Sequence, residues 1–486
     1  MKLIRIKPTK VKFSRQWVVW WVVLAVLILA VSGMLYSLEW TRLLGEVAKP
    51  LIKCSSGNYC YIKNHTLHKA PKWAVHKSFT WWITPGDLWG TLRATQYVVW
   101  GYFGGVYTTG APLVVFPGIL LILAPAVWLS QTLGLNFSYP FAIPNPTAWL
   151  IIGPYEMLIG SLPLFALDAL AKRLGISTAR RVVLTFLEMA ALWPLLVIWG
   201  HPEDALAVGI GLYGLMAAYD KRHVKAGWLF GIAISIQPLV GLIFPIIFGL
   251  TEKRHWLSLG IRGVLPSFAL LVVPIISSPR STLRAILQQP NYPTIDHPTP
   301  WVYLSPKISL VTPSHIKPSH IKHISDIHHA EKTALISHTA SVIHRITGHL
   351  PLVVSAGPTR IFAIIAAFTI GYWILRHHPG LILVLWLAGL SFAARCFFES
   401  VIDPYYFWPA IGLGILVAAQ SSRIRFALAA LFAAALAVFS YWHFNPWVYW
   451  LLMMVLLSGV LATGIPSVNS ADVGISGLME IKETEN

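Results

Sequence analysis

Apolar segments of about 15 to 21 residues, separated by short polar or basic stretches, run through most of the chain. A segment of about 20 apolar residues crosses the hydrocarbon core of a bilayer, which is about 30 Å thick. The segments are continuous and do not alternate between apolar and polar positions, as the strands of a membrane β-barrel do. The pattern therefore predicts an all-α, polytopic membrane protein with about 12 to 14 transmembrane helices and two long extracytoplasmic loops.

The composition agrees with a membrane protein. Of the 486 residues, 56% are hydrophobic and only 12% are charged, whereas an average soluble domain has about 25% charged residues. This balance excludes an ordinary soluble enzyme. It also excludes a disordered chain, because disordered chains lack apolar surface.

Basic residues outnumber acidic residues by 37 to 19. Much of the excess lies beside apolar segments, where positive charge marks the cytoplasmic side. Residues 1–16 carry six lysines and arginines and no acid, so the N-terminus is predicted to be cytoplasmic. We expect a multi-pass protein of a bacterial plasma membrane that contacts membrane lipids. We find no nucleic-acid-binding motif and predict no nucleic-acid partner.

The polar stretches divide the chain into membrane modules and loops. The predicted units are a basic cytoplasmic N-terminus (1–16), an N-terminal membrane module (17–278) with an outer loop (38–94), a His- and Pro-rich outer loop (279–357), C-terminal membrane helices (358–465) and a cytoplasmic tail (466–486).

The spans after residue 140 are predicted from their apolar lengths. They are Ala148–Ala171, Val182–Trp199, Ala205–Tyr219, Gly263–Ile276, Arg360–Leu375, Leu381–Phe397, Tyr405–Ala419, Phe426–Trp442 and Val448–Ile465. Basic residues flank 227–250 at both ends, so we predict two short helices there that meet at Gln237–Pro238 on the outer side. Tyr97–Leu133 contains either two crossings or one crossing and a re-entrant segment.

Acidic residues are scarce, which makes Asp87 informative. It follows Pro85–Gly86 just before the chain re-enters the membrane. It can cap the next helix, or it can act as a general base on an acceptor hydroxyl at the membrane surface. Arg93 is a candidate to hold a phosphate or to tune Asp87, and Glu39 is the alternative acid.

A second polar cluster, His201–Asp204, lies between two apolar helices. It is either an exposed turn, with acids that favour a helix N-terminus, or part of a substrate site formed by His201, Glu203 and Asp204. Metal binding by these three residues is a weaker alternative, and no metal site is predicted. Glu156 could face the same cavity or be hydrogen-bonded inside the bundle.

The third polar cluster contains Arg395, Glu399, Asp403 and Tyr405. Arg395 and Glu399 are spaced four apart, so they share a helix face. A charge at membrane depth is costly and is a functional hypothesis by default. Arg395 is our candidate for binding a lipid-linked phosphate, with a structural ion pair as the alternative. Tyr405 fits substrate binding or an interfacial aromatic belt.

The two outer loops contain further candidate chemistry. The second loop has nine histidines between His297 and His349, but their spacing matches no zinc motif and favours a polar, acid-tolerant loop over a metal site. In the first loop, Cys54 and Cys60 are either a small disulfide or two free thiols.

The layout resembles the GT-C superfamily of membrane glycosyltransferases, in particular the actinobacterial polyprenol-phosphate-mannose-dependent mannosyltransferases and their uncharacterised relatives. The stretches that carry the resemblance are Pro85–Trp89, Phe116–Gly118 and Ala226–Pro238. In relatives Gln237 is often replaced by lysine. The resemblance implies a GT-C-like fold, Asp87 as the catalytic acid residue with Glu39 as the fallback, and a polyprenyl-phosphate-linked sugar as donor substrate.

The function implied is inverting transfer of mannose, or of another hexose or pentose, to a lipid or glycan acceptor on the outer face. Arg93 and Arg395 would stabilise the phosphate leaving group. No cofactor is required, and the need for a divalent metal and the oligomeric state stay open. The alternatives are a transporter or flippase that binds its substrate at Gln237–Pro238, and a non-catalytic scaffold.

Overall fold

A computed structural model shows that the described part of the chain is mostly helical. It describes residues 15–45, 52–53, 59–63, 66–69, 86–108, 115–135, 148–287, 290–291, 293, 296–307, 353–354, 357–442 and 444–466.

The helices of the N-terminal part run up to residue 287. They are α1 (Arg15–Gly45), α2 (Gly86–Val99), α3 (Gly118–Thr132), α4 (Trp149–Gly160), α5 (Leu162–Arg173), α6 (Thr178–Trp193), α7 (Pro202–Tyr219), α8 (His223–Ile236), α9 (Phe244–Leu250), α10 (Trp256–Ser277) and α11 (Pro279–Leu287). The C-terminal part adds five more. They are α12 (Arg360–His377), α13 (Leu381–Phe398), α14 (Trp408–Ser421), α15 (Arg423–Phe439) and α16 (Pro446–Thr463).

Short strands are confined to the loops. An antiparallel sheet in the first loop contains β1 (Ile52–Lys53), β2 (Tyr59–Lys63) and β3 (Thr66–Lys69) in that order. Two further antiparallel pairs join distant segments. They are β4 (Pro290–Asn291) with β6 (Val353–Val354), and β5 (His297–Pro298) with β7 (Val401–Ile402).

Six helical segments among the described residues are long and apolar enough to cross a membrane. They are Trp149–Arg173, Thr178–Trp199, Lys253–Ser277, Arg360–His377, Leu381–Phe398 and Pro446–Thr463. Four shorter apolar helices accompany them, at Trp20–Tyr36, Gly118–Thr132, His223–Ile236 and Pro238–Leu250. The prediction of an all-α architecture suited to multiple membrane crossings is thereby confirmed.

One end of the bundle, called here the basic end, collects cations at the turns after α5, α7 and α14. Arg173 binds Asp220 through two parallel hydrogen bonds of 2.7 and 2.8 Å, and these bonds hold the pKa of Asp220 below its ordinary value. Arg180 donates to the carbonyl of Ala419 at 2.8 Å. The loops at this end are therefore tied to one another across the bundle.

The predicted break at Gln237–Pro238 is confirmed. Helix α8 ends at Ile236, Gln237 is extended (φ −147°, ψ 115°), and a 3-10 turn covers Pro238–Ile243 before α9. Proline has no backbone N–H to continue the α-helix. The chain returns to the basic end, where Lys221 Nζ donates to the carbonyl of Leu250 at 3.0 Å.

A close crossing joins α8 to α10. A Cβ added at Gly231 would lie 2.2 Å from the carbonyl oxygen of Arg262, and one at Gly227 would lie 3.3 Å from that of Leu259. Glycines four apart lie on the same helix face, and small residues at this spacing let membrane helices approach closely. The crossing holds the starts of both helices together at the basic end.

The opposite end, called here the site end, contains the break at Gln237 and the end of α10. The stretch that follows α2 lies there, because Ser278 Oγ donates to the carbonyl of Gly104 at 2.7 Å. Helix α3 is 15 residues long, about 22 Å, and is too short to span a bilayer alone. Its first residue, Gly118, abuts Ser235, which is two residues before Gln237. This geometry favours the re-entrant reading of Tyr97–Leu133.

Helix positions agree with most of the predicted spans. The last five helices begin and end within about three residues of their predicted bounds. Two differences concern the second loop and the helix before it. Helix α10 begins at Trp256 instead of Gly263, and residues 279–287, predicted to be loop, form α11 with Thr282 buried. Thr282 Oγ1 donates to the carbonyl of Pro274 at 3.0 Å, a contact that periodicity does not reveal.

Candidate functional site

Three chain segments that were predicted separately meet at the site end. The first leaves α6 through a π-helical turn (Pro194–Trp199) and enters α7. The second is the break at Gln237. The third runs from the last turn of α13 into a 3-10 turn (Pro404–Phe407). Six of the seven residues predicted to bind substrate lie in these segments. They are His201, Glu203, Asp204, Arg395, Glu399 and Tyr405.

His201 and Glu203 form a buried pair and not an exposed turn. Nδ1 of His201 lies 2.6 Å from Oε1 of Glu203, and their side chains are 6% and 1% exposed. The imidazole stacks on Tyr405, with ring centroids 4.4 Å apart, and Trp199 contacts the same tyrosine at 5.5 Å. The pair is therefore positioned by aromatic packing between α7 and the segment after α13.

Asp204 and Gln237 connect the second segment to the first. The side-chain amide of Gln237 donates to Oδ1 of Asp204. Asp204 is buried and also lies close enough to Arg395 for coulombic attraction. The broken helix therefore presents a polar side chain to the cluster in place of a continuous hydrogen-bonded backbone.

Arg395 forms an ion pair with Glu399, which was the alternative to the predicted phosphate binding, and a further contact with a tyrosine. Nε of Arg395 donates to Oε2 of Glu399 at 3.2 Å, and its guanidinium carbon lies 3.7 Å from the ring centroid of Tyr406. Arg360, at the start of α12, donates to both carboxylate oxygens of Glu399 at 3.0 and 3.1 Å. The carboxylate is fully buried and is shared by two guanidinium groups.

The backbone that ends α13 is fixed by the chain around residue 300. Thr299 Oγ1 donates to the carbonyl of Glu399 at 2.5 Å, and Trp301 Nε1 donates to that of Phe397 at 2.7 Å. From the other side, Thr359 Oγ1 donates to the carbonyl of Phe398 at 2.6 Å. These side chains satisfy the helix-terminal carbonyls and so position Arg395.

Glu156, in the middle of α4, is the most unusual acid of the cluster. It is fully buried, and neither carboxylate oxygen has a hydrogen-bond partner among the residues that the structure describes. Glu203 and His201 are within coulombic range. A buried polar group without a partner costs stability, which makes Glu156 a candidate site residue.

The helix that contains the predicted catalytic residue lies at the same end. Helix α2 contacts the π-helical turn that leads to His201, and Asp87 is in its first turn. Arg93 is exposed and six residues further on, about 9 Å along the axis and on a different face. The side-chain positions of Asp87 and Glu39 lie outside the described residues.

Several other predictions also lie outside the described residues. They concern Cys54, the side chain of Cys60, the histidines from His315 to His349, residues 1–14 and residues 467–486. Of the described cysteines, Cys396 is a buried free thiol. Within the described ranges no group of three or more His, Cys, Asp or Glu residues is arranged to hold a metal ion.

Arg360 was not among the predicted site residues, and the positions of Gln237 and Glu156 in the site were predicted only in part. Arg360 was seen only as the start of an apolar segment, and its bond to Glu399 joins residues 39 apart. Gln237 was noted as a departure from the family pattern, and its bond to Asp204 joins residues 33 apart. An available signal was the rarity of ionisable residues inside apolar segments.

No known protein family matches the chain, and no curated protein matches it.

Proposed function

We propose that the protein is a membrane glycosyltransferase of GT-C type that uses a polyprenyl-phosphate-linked sugar as donor. The observation that carries the proposal is Arg395, a guanidinium largely buried beside Tyr406 and Asp204 at one end of an apolar bundle. Arginine suits phosphate recognition because its charge is permanent and its donors form a planar fork. Its surroundings supply the acids and aromatic rings that suit a sugar.

The proposed reaction is a direct displacement with inversion. The acceptor hydroxyl gives its proton to the Asp87 carboxylate, and its oxygen forms a bond to the anomeric carbon. The bond between that carbon and the phosphate oxygen breaks, and the electron pair leaves with the polyprenyl phosphate. Arg395 stabilises the charge that develops on this phosphate, and Arg93 is a second candidate for the same task.

The remaining polar residues are proposed to position the sugar. His201 with Glu203, Asp204 with Gln237, and Glu156 offer hydrogen-bond acceptors at the end of the bundle where Arg395 lies. Tyr405 offers an aromatic face beside His201. Glu399 orients Arg395 and keeps its charge compensated before the donor binds. Glu39 is the fallback base if Asp87 serves only as a helix cap.

The proposal includes an orientation. The basic end faces the cytoplasm of a bacterial plasma membrane, by the positive-inside rule, and both termini are cytoplasmic. The site end faces outward, where a lipid or glycan acceptor receives mannose or another hexose or pentose. The reaction needs no cofactor beyond the lipid-linked donor, and the involvement of a divalent metal is left to experiment.

Purified protein in liposomes tests the proposal directly. Wild type is incubated with polyprenyl-phosphate mannose and an envelope lipid extract, and transfer is followed by mass spectrometry. Asp87→Asn is expected to lower transfer by about 10²- to 10⁴-fold, the usual contribution of a general base. Asp220→Asn, which removes an acid at the basic end, is the matched control and should retain activity. Wild-type transfer by Asp87→Asn would refute the role of Asp87.

The second candidate is a transporter or flippase, and the broken helix α8–α9 is the observation that favours it. Transporters often bind their substrates at discontinuous helices, and Gln237 faces Asp204 at such a break. Movement of labelled polyprenyl-phosphate mannose between leaflets, with no sugar transferred, would support this candidate over the enzyme. Gln237→Ala would then be expected to slow the movement.

A further inference from the structure

The basic end contains a cavity of about 450 Å³ between the α7–α8 turn and the start of α10. Its size is within the range of small-molecule sites, about 300 to 1,000 Å³. Its polar lining is almost entirely cationic or a hydrogen-bond donor. The lining residues that carry such groups are Lys221, Arg222, His223, Lys225, His255 and Ser258.

The acids nearest to this cavity are already paired with other arginines. Asp220 is held by Arg173 in the two bonds described above, and Glu252 pairs with Arg254 at 2.8 Å. Arg222 and Lys225 form no ion pair with any acid that the structure describes. Asp220 and Glu252 attract Arg222 and His223 of the cavity by coulombic forces, but both acids are ion-paired to other arginines, so the cavity lining keeps an excess of positive charge.

The cavity walls are fixed by the fold. The crossing of α8 and α10 at Gly231 sets the separation of the two helix starts. Lys221 adopts a left-handed backbone conformation (φ 58°), and its ammonium is held by the carbonyl of Leu250. His223 and His255, which both line the cavity, stack with ring centroids 4.5 Å apart. The cationic groups are thus presented by a preorganised turn and not by free loops.

An apolar, exposed surface lies directly along the same two helices. Val224 and Trp228 are four apart on α8, and Leu257 and Ile261 are four apart on α10, so each pair shares a face. Their exposed fractions are 54%, 42%, 78% and 54%. A ligand that places a phosphate in the cavity and hydrocarbon chains along these four residues contacts both the cationic lining and the apolar surface. A soluble anion would use only the cationic part.

We propose that this cavity binds the phosphate of an anionic glycerophospholipid from the leaflet at the basic end. Basic pockets between transmembrane helices are suited to such headgroups. The site is independent of the proposed transferase activity, because it lies at the opposite end of the bundle from Arg395 and Glu399.

Native mass spectrometry of detergent-purified protein tests the site. Dissociation constants are measured for phosphatidylglycerol, for phosphatidylcholine and for sn-glycerol 3-phosphate as the soluble anion. The variants are Arg222→Gln and Lys225→Gln, both exposed and outside the proposed catalytic site. The matched control is Arg376→Gln, an exposed arginine at the C-terminal end of α12. Melting temperatures without added lipid verify that each variant is folded.

Wild type should prefer phosphatidylglycerol to phosphatidylcholine, and each cavity variant should weaken phosphatidylglycerol binding about fivefold. Arg376→Gln should leave it unchanged. Equal binding of the two lipids, or an equal loss in the control and the cavity variants, would overturn the proposal. Binding of sn-glycerol 3-phosphate as tight as that of the lipid would also overturn it, in favour of a soluble anion.

Discussion

Replacing Gly231 with alanine tests the close crossing that organises the basic end. The new methyl carbon would lie 2.2 Å from the carbonyl oxygen of Arg262 and 2.7 Å from Cγ of Pro266. An ordinary contact between these atoms is about 3.3 Å, so α8 and α10 would have to separate by about 1 Å. Overpacking of this kind costs about 1 to 3 kcal/mol, and a backbone carbonyl has little freedom to yield.

The experiment is titration of the purified protein with a denaturing detergent, followed by tryptophan fluorescence. Gly260→Ala, in the other helix of the crossing, α10, is the matched control, because the nearest atom to its new methyl carbon is Cζ of Phe248 at 3.6 Å. The control should be neutral or stabilised by about 0.5 to 1 kcal/mol through helix propensity, whereas Gly231→Ala should be destabilised. Equal unfolding free energies for the two variants would refute the crossing.

Three further predictions concern charged groups. Arg173 holds the pKa of Asp220 in the folded protein below its value of about 3.9 in the unfolded chain. The ion pair therefore stabilises the fold above about pH 3.9, and this stabilisation is lost as the pH falls through the folded-state pKa. The difference in stability between wild type and Asp220→Asn, measured by thermal melts, should therefore be constant above about pH 5 and shrink below about pH 4. A difference that grows at low pH would contradict the pairing. Glu399→Gln should lower the free energy of unfolding by about 3 kcal/mol, because Arg395 loses its carboxylate partner. Glu156→Gln should unfold no more easily than wild type but should lose transfer activity. A destabilised Glu156→Gln would show that this carboxylate has a structural partner.

Local sequence patterns were sufficient for much of the helical architecture. The apolar lengths predicted the last five helices, and the basic residues at both ends of 227–250 predicted two short helices that meet at Gln237–Pro238. Proline removes a backbone donor at that place. The spacing of Arg395 and Glu399 placed both residues on one helix face, because a four-residue separation is nearly one helical turn, and their ion pair was the alternative to phosphate binding by Arg395. In each case the interacting groups are close in sequence.

The assembly of the site could be predicted only in outline. The location of His201, Glu203 and Arg395 at one end of the bundle followed from the alternating direction of the spans. The contacts of Asp204 with Gln237 and of Glu399 with Arg360 did not. Such contacts depend on how helices pack, and packing depends on details such as the Gly227 and Gly231 crossing. Sequence spacing alone contains no information on these distances.

The central claim is that a polyprenyl phosphate binds at the site end with its phosphate on Arg395. The most direct measurement is photo-crosslinking with a polyprenyl phosphate that carries a diazirine near the phosphate, followed by peptide mapping. We expect labelled peptides from the start of α7 and the end of α13. Labelling should be lost in Arg395→Gln and should be competed by polyprenyl phosphate but not by polyprenol. Labelling confined to the basic end, or equal competition by polyprenol, would contradict the claim.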